Sequence, residues 1–341
     1  APDLVFQAYV QSSKFHGINF SPVFCSNNNS DFHQIIPIEN INNLGEKIIQ
    51  DHISGKLDFK KIIENTLERE KKIDLIWSKR KDLSKISDRR LIEIYKELLK
   101  VSQEWWYYGV MGEDKGRIIA EKLLTIVKKE KISKSEAQER INILAHPKNK
   151  SIFALEREVF SKMCALILSK EKLKSALNNK DISVFRSDEK FMILFNRYQK
   201  EFFYFWTNFY DYKLVELEKI IFLLEKETAN KELSYFKEVI GHLEQESEKI
   251  KSEKKKIIAK LKLSKEEKKL IDFGELMSEW QDYRKRGMMK QFFYFFNIFT
   301  EIAKRRKVKY EEVIFLFADE IKDFLWGELE VKRARESIFV C

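Results

Sequence analysis

From Leu44 onward, apolar residues recur at three- and four-residue steps, the spacing that lines one face of an α-helix. Leu91, Ile94, Tyr95 and Leu98 make one such stripe. Leu155, Val159, Met163 and Ile167 make a second, and Leu214, Leu217, Ile221 and Leu224 a third. The ends of the stripes are marked. Ser87 is placed to cap the first, and Ser133 with Glu136 and Ser264 with Glu267 have the spacing of capping boxes. His146-Pro147 predicts a helix end, because a residue before proline avoids the α region. Residues 1 to 43 read differently. Leu4 to Val10 and Phe32 to Ile38 look like short strands, with the turn-rich Asn27 to Asp31 between them. The expected fold is mainly α, a multi-helix assembly with a small N-terminal β element. Its divisions are a β-containing element over 1–43, a helical domain over 44–330, and the start of a linker to a further C-terminal domain over 331–341. No repeat of fixed period is visible.

Two aromatic runs depart from simple amphipathic stripes. Phe202 to Trp206 leads to Phe209, Tyr210 and Tyr212, and on a helix Phe202, Trp206 and Phe209 would share a face. Phe292, Phe295, Phe296 and Phe299 would share another. Hydrophobicity that continues around a helix predicts cover on several sides. The runs are therefore expected to be core and to pack against each other, with Trp206 and Phe295 deeply buried. The other reading is the wall of a pocket for a flat or apolar ligand.

Composition narrows the classes. Hydrophobic residues make up 44% of the chain and aromatics 13%, too much for general disorder. No apolar run reaches the roughly 18 residues that a membrane helix needs, and no basic region followed by an apolar stretch heads the chain. Cys25, Cys164 and Cys341 are too scattered for a disulfide framework or a zinc knuckle. A soluble, cytoplasmic protein is expected. The net charge of +10 comes from 64 Lys and Arg against 54 Asp and Glu, largely interspersed, so it reads as a mixed solvated surface. Lys249, Lys251, Lys254, Lys255 and Lys256 fall in Glu244–Lys269, which is expected to be one long exposed helix. Nucleic acid is not the favoured partner. A rival reading remains, in which the Lys-rich helix at 249–269 binds RNA or a protein without catalysis.

Familiar catalytic motifs are missing. The chain has no phosphate-binding G-x-x-x-x-G-K-[ST] and no G-x-G-x-x-G after a strand. The Gly-dense segment Gly109 to Gly116 reads as a link between helices. His16, His33, His52, His146 and His242 share no metal-ligand spacing, and neither Cys-x-x-Cys nor G-x-S-x-G occurs. No metal or cofactor is expected, and the chain alone is not expected to be catalytic.

The order of several short motifs carries a resemblance. Asn142 to Ser151 precedes a helix bearing Glu156 and Glu158; Arg197-Tyr198 and the Tyr- and Trp-rich Tyr204 to Tyr212 follow. Next come the charged Leu243 to Lys269, the Trp280 to Lys285 segment and Glu301 to Arg305. Phe315 to Ile321 and Arg333 to Val340 complete the series. Over about residues 44–340 this resembles the central helical region of phosphoenolpyruvate synthase-like proteins. That group includes rifampin phosphotransferase and stand-alone proteins with the phosphoenolpyruvate-utilising mobile domain. In this family a nucleotide-binding domain phosphorylates a histidine on a swivelling domain, and the histidine delivers the phosphoryl group to substrate. The resemblance implies that this chain is an acceptor-side or scaffolding module, partnered by a phosphohistidine swivelling domain and an ATP-binding domain. Nothing here resembles the ATP-grasp domain or the Gly-Gly-x-x-Ser/Thr-His loop. The candidate substrate-binding residues are Arg284, Lys285, Trp206, Tyr210 and Trp105. Arg284 and Lys285 lead for anion contact, since a guanidinium grips phosphate or carboxylate with two parallel hydrogen bonds. Asp282 and Glu279 could equally neutralise them as a surface pair.

Overall fold

Capping side chains and breaks in periodicity divide the chain into helices. The computed structural model describes residues 24–28, 31–35, 38–79, 82–109, 115–207, 212–314, 316 and 320–328. The protein is mainly helical. Phe24–Asn28 and Asp31–Ile35 pair antiparallel, with Cys25 opposite Gln34. Leu4–Val10, the other expected strand, lies outside the described residues, as do 331–341 and Arg333–Val340. The first helix, α1, spans Ile38–Ser54, so the helical pattern begins ahead of Leu44 and Ile38 is not strand.

Two compact units emerge. The first holds the described residues up to Ala145 and those from Leu261 onward. Its helices are α1, α2 (Phe59–Ser78), α3 (Asp88–Gly109), α4 (Lys115–Val127) and α5 (Lys134–Leu144). After the second unit the chain returns to it as α12 (Lys265–Arg306), α13 (Tyr310–Val313) and α14 (Glu320–Trp326). The second unit holds His146–Thr207 and Tyr212–Lys260. Its helices are α6 (Ile152–Ser169), α7 (Glu171–Asn179), α8 (Ile182–Ser187), α9 (Glu189–Phe202), α10 (Leu217–Thr228) and α11 (Leu233–Lys260).

The axis of the first unit is α12. Ser264 and Glu267 form the expected capping box at its start, and Lys307, at φ 54°, ends it in the left-handed region. Helices α1 to α5 pack around it. Trp77 stacks on Tyr294 with ring centroids 4.6 Å apart, Tyr95 meets Phe295 and Phe299, and Trp106 lies near Phe292. The second aromatic run is therefore covered from inside its own unit. A buried ion network ties α2 to α12. Arg286 grips Glu70 through two bonds of 2.8 and 2.9 Å, and Lys290 bridges Glu70 and Asp74. Tyr294 donates to Asp74 at 2.7 Å. Arg305 reaches Asp88 and the carbonyls of Leu83 and Ile86, joining the start of α3 to the end of α12.

Glu244–Lys269 is not one helix. The α11 helix stops at Lys260, Leu261 is buried, and α12 starts afresh behind the Ser264 cap. The first aromatic run is also not one helix. After Phe202 the backbone tightens into a 3₁₀ turn over Phe203–Trp206, so the three-and-four stepping stops there. Among the described residues no helix is long and apolar enough to cross a membrane.

Candidate functional site

The second unit is built on a core of α6, α9 and α10 side chains, among them Val159, Met163, Phe191, Phe195, Ile220 and Leu224. Ser151 caps α6 by accepting from the Ala154 N–H, and Asp188 caps α9 by accepting from that of Phe191. These caps set where each helix starts and hence which residues come to its inner face. On α9 that face is Phe191, Phe195, Tyr198 and Phe202, all buried. Past Phe202 the 3₁₀ turn carries Phe205 and Trp206 out beside α6. The backbone is held there by a bridge between Thr207 and Tyr212 and by Gln199 donating to the Val215 carbonyl at 2.8 Å.

These elements line a cleft of about 420 Å³ that is open to solvent. Glu156, Arg157 and Phe160 line it from α6, Tyr198 from α9, Phe205 and Trp206 from the turn, and Leu223, Lys226 and Glu227 from α10. That volume suits a small organic molecule. One wall is aromatic and the other charged.

The polar groups form two chains. In the first, the Tyr198 phenol, which shares the wall with Trp206, donates to Glu156 Oε1 at 2.6 Å. Burial raises the Glu156 carboxyl above its usual range, against the lowering effect of the Tyr198 bond. Burial and the Glu156 charge raise the Tyr198 phenol as well, so it stays protonated and keeps donating. Glu156 Oε2 has no hydrogen-bond partner among the described residues. In the second chain, Glu227 receives Arg157 and Lys231, each at 2.7 Å. Burial would raise the Glu227 carboxyl, but these two cations hold it below the usual range.

The sequence candidates scatter. Trp206 is half-buried in the cavity wall and is not a deep core residue. Trp105 is wholly buried between α3 and α12, where its ring packs on Trp106 and Gly287. It fills the core of the first unit and presents no face to a ligand there. Arg284 is half-buried and Lys285 exposed, both on α12. Two positions on, Arg286 makes a bidentate grip on Glu70, a carboxylate that belongs to the fold. Tyr210 lies outside the described residues. Glu156 and Tyr198 stand in the quoted motifs, and nothing local in the sequence marks them as a pair. The missing signal was their pairing, which bridges residues 42 positions apart in the chain. Among the described residues no group of His, Cys, Asp and Glu is set to hold a metal ion.

No known family model matches the chain, and no curated protein shows significant similarity to it.

Proposed function

We propose that this chain is the helical, acceptor-holding module of a phosphoenolpyruvate synthase-like phosphotransferase. On this reading it works with a phosphohistidine swivelling domain and an ATP-binding domain, carried on the same longer chain or on separate ones. The cavity between α6, α9, α10 and the Phe203–Trp206 turn is the seat of the acceptor. One observation carries the reading. Segments quoted for the resemblance, the helix bearing Glu156, the Arg197-Tyr198 step and the aromatic stretch from Tyr204, supply Glu156, Tyr198, Phe205 and Trp206 to a single cavity. The chain has no phosphate loop, so its part is to hold and orient.

The test is direct. A purified swivelling domain of this class, phosphorylated on its histidine, is titrated into the chain in a calorimeter. A saturable complex is expected. Absence of any association at millimolar concentration would reject the proposal. In parallel, the chain incubated alone with labelled ATP is expected to stay unlabelled, and stable phosphohistidine on the chain would contradict its role as acceptor module.

A further inference from the structure

Two helices end and three begin at the same end of the first unit. Helices α1 and α4 lie parallel: Asn42 meets Arg117, and Glu46 pairs with Lys122 at 2.8 Å. Their last turns, at Ser54 and Val127, therefore share that end. The start of α12 is tied to both. Lys269 donates to the Ile53 carbonyl, and Glu267 receives Lys129 at 2.5 Å. From here the chain leaves as α2 and α5, capped by Asp58 and Ser133. Segments 51–61, 128–136 and 261–272 are thus neighbours, although far apart in the chain.

Together these segments hold 11 Lys against seven Asp and Glu. Most of the carboxylates are engaged. Asp51 pairs with Lys47, Asp58 caps α2, Arg140 takes both Glu130 and Glu136, and Glu267 holds Lys129. Most of the lysines are not. Lys128, Lys131 and Lys134 at the α4–α5 turn, and Lys262, Lys265 and Lys268 at the start of α12, are all exposed. Among the described residues none of the six makes an ion pair. Lys56 in the α1–α2 loop is exposed as well. Elsewhere on the chain opposite charges alternate and pair; here a positive surplus stands open.

A surface of this kind attracts a polyanion. The other side chains at this end narrow which one. A membrane is held by lysines together with apolar side chains that enter the lipid. Among the described residues this end exposes no large apolar side chain. A single nucleic-acid strand is held by stacking its bases on aromatic rings. The rings here, Phe59 and Phe273, are buried in edge-on contact with each other. The phosphates of a duplex need neither feature, since lysines meet them as point charges whatever the sequence.

We propose that this end of the first unit binds the backbone of a nucleic-acid duplex. Lys128, Lys131 and Lys134 hold it from one segment and Lys262, Lys265 and Lys268 from the other. The strip suggested by sequence alone, one Lys-rich helix over 249–269, is divided by the break at Leu261, which sets its far end beside the α4–α5 turn. The proposal is independent of the phosphotransfer reading and needs no part of it.

The test uses the full chain and a fluorescently labelled DNA duplex of random sequence, read by anisotropy. Binding is expected at micromolar protein in about 50 mM salt, and about a thousandfold weaker at about 200 mM, as roughly six phosphate contacts imply. Lys128→Gln, Lys131→Gln and Lys134→Gln together should weaken low-salt binding by about tenfold or more and roughly halve the logarithmic salt slope. The same is expected of Lys262→Gln, Lys265→Gln and Lys268→Gln together. Lys172→Gln, Lys174→Gln and Lys190→Gln remove as many exposed charges from the second unit. That triple should change affinity by less than about twofold, because salt-dependent affinity counts only the lysines that meet phosphate. Should a triple variant fail to fold, Lys131→Gln and Lys265→Gln singly should each lower the slope by about one. The proposal is overturned if no duplex binds at low salt, or if the second-unit triple weakens binding as much as the others. Tighter binding to a single strand, or to vesicles of phosphatidylcholine and phosphatidylserine in equal parts, overturns it as well.

Discussion

The Trp105 indole lies directly on the bare α-carbon of Gly287: a methyl group built there would stand 2.5 Å from the ring carbon Cζ2. Helix α12 thus approaches α3 more closely at this point than any residue with a side chain would allow.

Gly287→Ala should therefore destabilise the protein, although alanine is the better helix former. The propensity gain is about 1 kcal/mol. Forcing a rigid, wholly buried indole aside costs about 1–3 kcal/mol. Gly241 in α11 is the control, since nothing lies within 4 Å of a methyl group there. Gly241→Ala should stabilise by about 0.5–1 kcal/mol. Thermal melts of both variants check the contrast, and a stabilised Gly287→Ala would refute the close packing.

Glu70 should make the first unit acid-sensitive. Burial tends to raise its carboxyl, yet Lys290 and Arg286 hold it below the ordinary range. The unfolded chain therefore takes up this proton at higher pH than the folded chain does. The linked stability is complete above the ordinary glutamate range and is lost as pH falls through the folded value. Removing one partner of a buried pair costs about 3–5 kcal/mol. Glu70→Gln should show that loss at neutral pH and a shrinking gap to wild type in acid. Denaturant titrations at both pH values decide it, and a gap independent of pH would contradict the pairing.

The two aromatic runs should respond unequally to truncation. Phe295 is 5% exposed and packs against Tyr95 and Phe299. Phe295→Ala should cost about 3–5 kcal/mol through lost burial and an unfilled cavity. Trp206 is half-buried at the rim of a cavity, so Trp206→Ala should cost clearly less while weakening the binding of aromatic probes. Equal losses of stability would place Trp206 in the core after all.

Cys164 should be inert in the folded protein. It is wholly buried on α6, and burial pushes its thiol up to about 12. The thiolate, which is the reactive form, is scarce at neutral pH. In a chain with Cys25→Ser and Cys341→Ser, a thiol reagent such as Ellman's should react only after denaturant is added. Prompt reaction under native conditions would show that α6 opens readily.

Much of the helical architecture was legible because helices are local. Ser87, Ser133 and Ser264 cap where their spacing says, each accepting from the backbone N–H three residues on. The helix before His146-Pro147 stops at Leu144. Helical spacing misleads where local signals compete with tertiary burial. The 3₁₀ turn after Phe202 and the break at Leu261–Ser264 both interrupt sequences that would extend a helix by propensity alone. In each case tertiary burial wins: Tyr204 and Leu261 are both buried.

By itself, then, the sequence determined the helical class, many of the helix starts and stops, and the absence of a phosphate loop, because each depends on neighbours within a few residues. Only the tertiary structure decided which apolar stripes share a core, separating Phe295 from Trp206 into different units. It also decided that Arg286 grips Glu70, and that Glu156 meets Tyr198 beside a cavity. Those choices hinge on which way each helix is rotated against its neighbours. Apolar spacing gives that rotation only to within the width of a stripe, whereas a hydrogen bond needs it to within a few tenths of an ångström.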